Sequence, residues 1–215
     1  MGKIRVLLGE DHTLVADGLA RLIEPEFDLV AKADNGRAAV QAAAQHRPDV
    51  VLLDISMPLL NGIEAARQIR AESPQTKIVF LTMHTDLAYV AEALRAGASG
   101  YLLKRSAVSE LSAAIRAAVS GKVYITPQIA SRLKESARPE TMASPRLTGR
   151  QREVLQLIAE GFTAKEMASQ LSISTKTVEF HRAAILQKLG LHGTADLIRY
   201  ALEHHISGNR PVRKT

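Results

Sequence analysis

Val50-Val-Leu-Leu-Asp54-Ile-Ser-Met-Pro58 begins with four apolar residues in unbroken succession and then meets a carboxylate. A run without alternation, bounded by turn residues, reads as a strand buried on both faces. Four further segments share this character: Ile4–Gly9, Asp28–Ala33, Lys77–Thr82 and Ser99–Leu103. Helical patterns lie between them. Leu14, Leu19, Leu22 and Ile23 are expected on one helical face, as are Val40, Ala43 and Ala44, and Ile63, Ala66 and Ile69. Leu87–Arg95 and Val108–Val119 complete the series, with Ser106 as the expected N-cap of the last. Strand and helix in strict alternation imply an α/β fold, a doubly wound five-stranded parallel sheet with helices on both faces.

Such sheets collect function at the carboxyl ends of their strands, near the point where strand order reverses. Glu10 and Asp11 close the first strand, Asp54 the third and Thr82 the fourth, and the fifth runs into Lys104. All five polar groups are therefore expected on one rim. Three crowded carboxylates repel one another, and their joint ionisation calls for a cation. An all-oxygen donor set suits Mg²⁺. Lys104 adds a point charge and Thr82 a hydroxyl able to follow an incoming oxyanion, a set suited to phosphoryl transfer with Asp54 as nucleophile.

The bulk properties divide the chain. Its net charge is +6 over 215 residues. Residues 1–126 hold 14 basic and 14 acidic side chains, so the whole excess lies in residues 127–215. A basic module beside a neutral one points to a polyanionic partner, although a solvated basic surface fits the same count. The absence of cysteine excludes disulfides and thiolate-bound metals. Nothing resembles a signal peptide and no apolar run approaches bilayer length, so a cytoplasmic protein without a membrane partner is expected.

Past the fifth strand the character changes. Thr126–Pro127 reads as an N-cap and first helical residue of a short helix ending near Glu135. The stretch from Ser136 to Pro145, poor in large apolar residues, reads as a linker. Four helices should follow. Thr148-Gly-Arg-Gln151 has the form of a capping box and opens a helix with Val154, Leu155 and Ile158 inward. Ala164–Leu171, Ser174–Leu189 and Thr194–His205 are the others, and a tight Ser172-Ile173 connection gives the outline of a helix-turn-helix.

In Ser174–Leu189, Val178, Ile185 and Leu189 share one face. Lys176, Glu179, Phe180, Ala183 and Gln187 lie roughly opposite. A polar face of this kind can enter a major groove, where Gln pairs with adenine, Glu accepts from cytosine and an aromatic ring can meet a thymine methyl. Arg182, Lys188 and Lys165 are better placed for phosphates. His12, His204 and His205 are expected on the surface, and His181 in helix packing or at a phosphate.

Residues 4–120 resemble a response-regulator receiver domain. The resemblance rests on Glu10–Asp11, Asp54-Ile-Ser-Met-Pro58 with Gly62 beyond it, Thr82, and Tyr101-Leu-Leu-Lys104. It implies that Asp54 accepts a phosphoryl group from a sensor histidine kinase. It further implies that Glu10, Asp11, Asp54 and the backbone carbonyl of Ser56 bind Mg²⁺, and that Thr82 and Tyr101 form a switch pair. Ser56 and His84 occupy positions that tune phosphoryl lifetime in that family. Glu stands at position 10 where many members have Asp, and Arg105 follows Lys104 where many have Pro, which argues against a cis peptide there.

Residues 147–206 resemble a LuxR-type DNA-binding domain. The features are Leu147-Thr-Gly-Arg-Gln-Arg-Glu-Val-Leu155, Gly161, Lys165-Glu-Met-Ala168, Leu171-Ser-Ile-Ser174, Thr177-Val178, His181 and Lys188-Leu-Gly190. Lys176-Thr-Val-Glu-Phe-His-Arg182 is similar to the recognition helices of that family, which adds Thr177 to the expected DNA contacts and assigns Glu153 a structural role. The pair of resemblances implies a NarL/FixJ-class response regulator rather than an enzyme. Residues 1–122 would be the receiver, 123–146 a short helix and linker, 147–208 the DNA-binding domain and 209–215 a tail. Phosphorylation would drive formation of a homodimer on double-stranded DNA. A phosphorylation-independent DNA-binding factor with a vestigial receiver, and a phosphorelay module with a protein-binding helical partner, are the alternatives.

Overall fold

A computed structural model of the chain describes residues 2–135, 147–204 and 206. The expected linker, His205 and the tail lie outside these residues. The chain forms two compact units, one built on a sheet and one helical.

In the first unit β1 (Arg5–Gly9), β2 (Asp28–Ala33), β3 (Val50–Asp54), β4 (Lys77–Thr82) and β5 (Gly100–Leu103) are the five expected strands. The sheet carries one more, β6 (Tyr124–Ile125), and the order is β2-β1-β3-β4-β5-β6, parallel throughout. Two residues are too few to show periodicity, which is why β6 is silent in the sequence. Every residue of β3 is buried, as its unbroken apolar run requires. Strand order reverses between β1 and β3, which opens a crevice at their carboxyl ends.

The helices are α1 (Thr13–Ile23), α2 (Gly36–His46), α3 (Gly62–Glu72), α4 (Leu87–Arg95), α5 (Ala107–Val119) and α6 (Pro127–Glu135). Alternate strand residues, Val6, Leu8, Leu52, Leu81 and Leu102 among them, pack with Leu19 and Ile23 of α1 and with Leu111 and Ile115 of α5. Leu14 departs from its expected place, being 87% exposed. Five residues at 100° each carry it well away from Leu19, and the buried stripe of α1 is Ala16, Leu19, Ala20 and Ile23.

Two capping expectations are replaced by other bonds. Ser106 makes no side-chain cap, because Lys104–Ser106 already turn as a 3₁₀ segment before α5. The Thr126 hydroxyl accepts from the Leu103 backbone N–H at 3.1 Å, while its carbonyl accepts from Ile129 and Ala130. This bond, the β5–β6 pairing, a fully buried Ile129 and the packing of α6 on α4 fasten residues 124–135 to the sheet unit. Arg132 also donates to the Thr85 carbonyl. No peptide bond among the described residues is cis, Lys104–Arg105 included.

The second unit contains α7 (Gly149–Ala159), α8 (Ala164–Leu171), α9 (Thr175–Leu189) and α10 (Thr194–Glu203). The expected capping box forms, with Thr148 accepting from Gln151 N–H and the Gln151 side chain accepting from Thr148 N–H. Thr163 and Glu166 repeat it on α8, and Ser174 caps α9. Gly161 (φ 82°) and Gly190 (φ 66°) end α7 and α9 in the left-handed region that glycine tolerates best. The core joins Val154, Leu155, Leu157 and Ile158 with Met167, Leu171, Val178, Ile185, Leu197 and Ala201. Arg150 pairs with Glu153 at 3.0 Å and donates to the Leu171 carbonyl at 2.6 Å, tying α7 to the end of α8.

Because Ile129 has no exposed surface, Ile129→Ala in the full chain should lower the stability of the sheet unit by about 2–4 kcal/mol. Urea denaturation followed at the sheet unit's own transition checks this, and an unchanged midpoint would show that α6 only rests on the surface.

Candidate phosphoacceptor site and nucleic-acid interface

The acidic site follows from the strand ends. The Glu10 N–H extends the β1–β2 ladder by donating to the Ala33 carbonyl at 2.8 Å, which fixes the turn that presents Glu10 and Asp11. Asp54 is the last residue of β3. Beyond it the loop returns through a bond from the Gly62 N–H to the Ile55 carbonyl at 2.9 Å. A Cβ at Gly62 would overlap the Asp54 carbonyl oxygen, so this close return requires glycine.

Oxygens of Glu10, Asp11 and Asp54, together with a ring nitrogen of His12, lie within 4.8 Å of one another. Lys104 reaches in from the end of β5, its Nζ 2.6 Å from Glu10 Oε2 and 2.9 Å from Asp54 Oδ2. Burial opposes the lysine charge, but attraction to Asp54 and hydrogen bonds to Glu10 and Asp54 outweigh it and raise the Lys104 pKa. His12 is exposed, as expected, but it also meets the acids of the site. Its Nδ1 is 2.9 Å from Asp11 Oδ1 and 3.2 Å from Glu10 Oε1. Its place directly after Glu10–Asp11 is the sequence signal for this contact, one that lacks the spacing of a helical turn.

Thr82, Tyr101, Ser56 and His84 form a second, adjoining group. The His84 backbone N–H donates to Thr82 Oγ1 at 3.0 Å, and the Tyr101 hydroxyl donates to the His84 carbonyl at 3.1 Å. Tyr101 is wholly buried, with its ring inward. Burial pushes its phenol pKa up against the hydrogen bond to Thr82, so the hydroxyl remains a donor. Ser56 Oγ and His84 Nε2 are hydrogen-bonded at 2.8 Å, and the imidazole stacks on Tyr89 of α4 with centroids 4.4 Å apart.

On the helical unit, Lys176, Glu179, Phe180, Ala183, Gln187 and Lys188 are exposed on α9, and Lys165 is exposed on α8. Thr177 and Arg182 are half-buried. Thr177 Oγ1 bonds the Ser174 hydroxyl at 2.8 Å, while Arg182 lies 3.6 Å from Glu179 and donates to the Thr194 hydroxyl. Thr177 is thus engaged at the start of α9, while Arg182 ties the middle of α9 to the first residue of α10. Val178 and Ile185 fill the opposite, buried face as expected.

The chain matches two protein families. Residues 6–116 match the response regulator receiver domain, and residues 145–201 match the bacterial regulatory proteins of the luxR family. It is 39% identical to the transcriptional regulatory protein MctR of Rhizobium johnstonii, over 95% of each chain. It is 38% identical to the response regulator UvrY of Escherichia coli strain K12, over 94% of each. A solved structure of two RcsB dimers bound to two parallel DNAs matches with a TM-score of 0.58 at 27% identity, over 94% of this chain and 98% of that one. The chain belongs to the two-component response regulators that join a receiver to a LuxR-type helix-turn-helix, a family of DNA-binding transcriptional regulators rather than enzymes. Among the described residues no helix is long and apolar enough to cross a membrane.

Removing the lysine would leave buried Glu10 and Asp54 without their cation. In divalent-free buffer at pH 7, Lys104→Met should cost about 3–5 kcal/mol, read by chemical denaturation. A group with a raised folded pKa stabilises fully below its ordinary value and loses that effect as pH rises through the folded value. The deficit should therefore be constant from pH 7 to about pH 9, well below the ordinary lysine value of about 10.4. A deficit already closing by pH 8 would contradict the pairing.

Proposed function

We propose that Asp54 accepts a phosphoryl group from the histidine of a sensor kinase and that this modification governs DNA binding by the helical unit. The observation that carries it is the convergence of Glu10, Asp11, Asp54 and Lys104 at the strand-order reversal. A carboxylate oxygen of Asp54 attacks phosphorus, the P–N bond to the donor imidazole breaks, and the imidazole leaves with the bonding pair. Lys104 neutralises charge beside Asp54. The Thr82 hydroxyl exchanges its contact with the His84 N–H for a phosphoryl oxygen, while Tyr101 stays inward behind it.

Three carboxylates with one lysine leave a net charge of −2 when His12 is neutral, which a divalent cation balances, and oxygen donors suit a hard ion. Glu10, Asp11, Asp54 and the Ser56 carbonyl would hold Mg²⁺, which supplies neutralisation of the charge gathering on the transferring group.

In this reading residues 1–122 sense the phosphoryl group and residues 147–208 bind double-stranded DNA. Lys165, Arg182 and Lys188 meet phosphates, while Lys176, Glu179, Phe180, Ala183 and Gln187 face the bases and Thr177 contacts the DNA at the start of α9. Phosphorylation favours a homodimer, whose two α9 helices enter half-sites about one helical turn apart, in the cytoplasm where the DNA lies.

Acetyl phosphate with Mg²⁺ should add one phosphoryl group, mapped by mass spectrometry to Asp54 and absent both from Asp54→Asn and without Mg²⁺. Modification elsewhere, or none, would overturn the receiver chemistry and leave a phosphorylation-independent regulator. On DNA, Lys188→Ala should weaken binding similarly across sequences. It should also reduce the slope of log K against log salt by about 0.9 for each subunit bound. An unaltered slope would remove Lys188 from the phosphate contacts.

A further inference from the structure

Phe180 is the one phenylalanine or tyrosine side chain exposed among the described residues, with 68% of its surface open to solvent. It stands on a stripe whose other members are polar or small. Lys176, Phe180, Ala183 and Gln187 follow one another at i, i+4, i+7 and i+11, which places them on one line along α9. The ring is not drawn back into the core, since Val178 and Ile185 fill the buried face of the same helix. Its one ring neighbour among the described residues is His181, edge to face with centroids 5.8 Å apart, a contact that leaves most of the ring open.

We infer that Phe180 is a specificity residue that packs on the C5-methyl group of a thymine in the major groove, an inference that rests on the DNA-binding reading above. A phenyl ring has no donor or acceptor, so it can distinguish bases only through an apolar group. Among the base edges exposed in the major groove, the thymine methyl is the one such group in unmodified DNA. The position suits this contact. Phe180 lies in the N-terminal half of α9, the part of a recognition helix that reaches base edges. Ala183, one turn on, projects only a methyl and lets the helix approach closely. Lys176 and Lys188 on the same helix attract the backbone that brings the groove to the ring. An apolar protein partner would also cover a ring, but the surrounding face, with Lys176, Lys188 and Arg182 against the single acid Glu179, is net positive and matched to a polyanion.

The test begins with selection of a preferred site from random double-stranded DNA by the full chain, treated with acetyl phosphate. Each thymine of that site is then replaced by deoxyuridine, which removes only the methyl, and affinities are measured by fluorescence anisotropy. Wild type should bind about fourfold more weakly after replacement at one position in each copy of the site, the loss expected for one buried methyl. Phe180→Ala should bind the thymine and deoxyuridine forms equally at that position, and Phe180→Leu should keep part of the discrimination. An exposed residue can be truncated without unfolding the unit, which a thermal melt of each variant verifies. Identical penalties in wild type and Phe180→Ala at every thymine would overturn the inference while leaving DNA binding intact. Failure to enrich any DNA would overturn the DNA-binding reading beneath it, and the inference with it.

Discussion

Parallel strands that end in acids bring those acids together, and one lysine makes the arrangement tolerable. Glu10 and Asp54 are almost wholly buried, and Lys104 stands between them as the cation that offsets the cost of burying two carboxylates together. The three side chains arrive from β1, β3 and β5, so their meeting point depends on the register of the central sheet. Val6 opposite Val50 and Asp54 opposite Leu81 are therefore electrostatic specifications as much as packing ones. A slip of one residue would reverse the faces of a strand and carry its carboxylate away from the lysine.

The second group at this rim is organised by a backbone rather than by a charge. His84 offers its N–H to Thr82, its carbonyl to Tyr101 and its ring to Ser56 and Tyr89. Four elements of the sheet unit thus meet at one residue: the loop after β3, the end of β4, the start of β5 and α4. Movement of the Thr82 hydroxyl alters the environment of a residue on which all four converge.

The sequence shows some of this plainly and hides the rest for identifiable reasons. The five longer strands are legible because strands buried on both faces must be continuously apolar, and the acids are legible because they stop those runs. The capping box at Thr148 and Gln151 is legible because its partners are three residues apart. The Ser56–His84 contact spans 28 residues and two loops, and no local pattern announces it. Leu14 misleads in the opposite direction, since its residue type suggests the core while its angle on α1 points it to solvent. On α9 the buried and exposed faces are both readable from spacing. The ties of Thr177 and Arg182 to Ser174 and Thr194 depend on side-chain directions that spacing leaves open.

The short strand β6 has a role out of proportion to its two residues. Open sheets end in rows of unpaired N–H and C=O groups, which invite another chain to add itself. On the β2 side the margin is polar, with Asp28 exposed at its start and Lys32 exposed and paired to Asp17. On the other side β5, Gly100–Leu103, is entirely buried and has no charged residue to discourage such an addition. Tyr124 and Ile125 occupy its ladder, and the Thr126 hydroxyl takes the Leu103 N–H just beyond them. The chain thus covers the apolar flank of β5 with its own backbone and leaves at that edge a strand of two residues, too short to template another chain well.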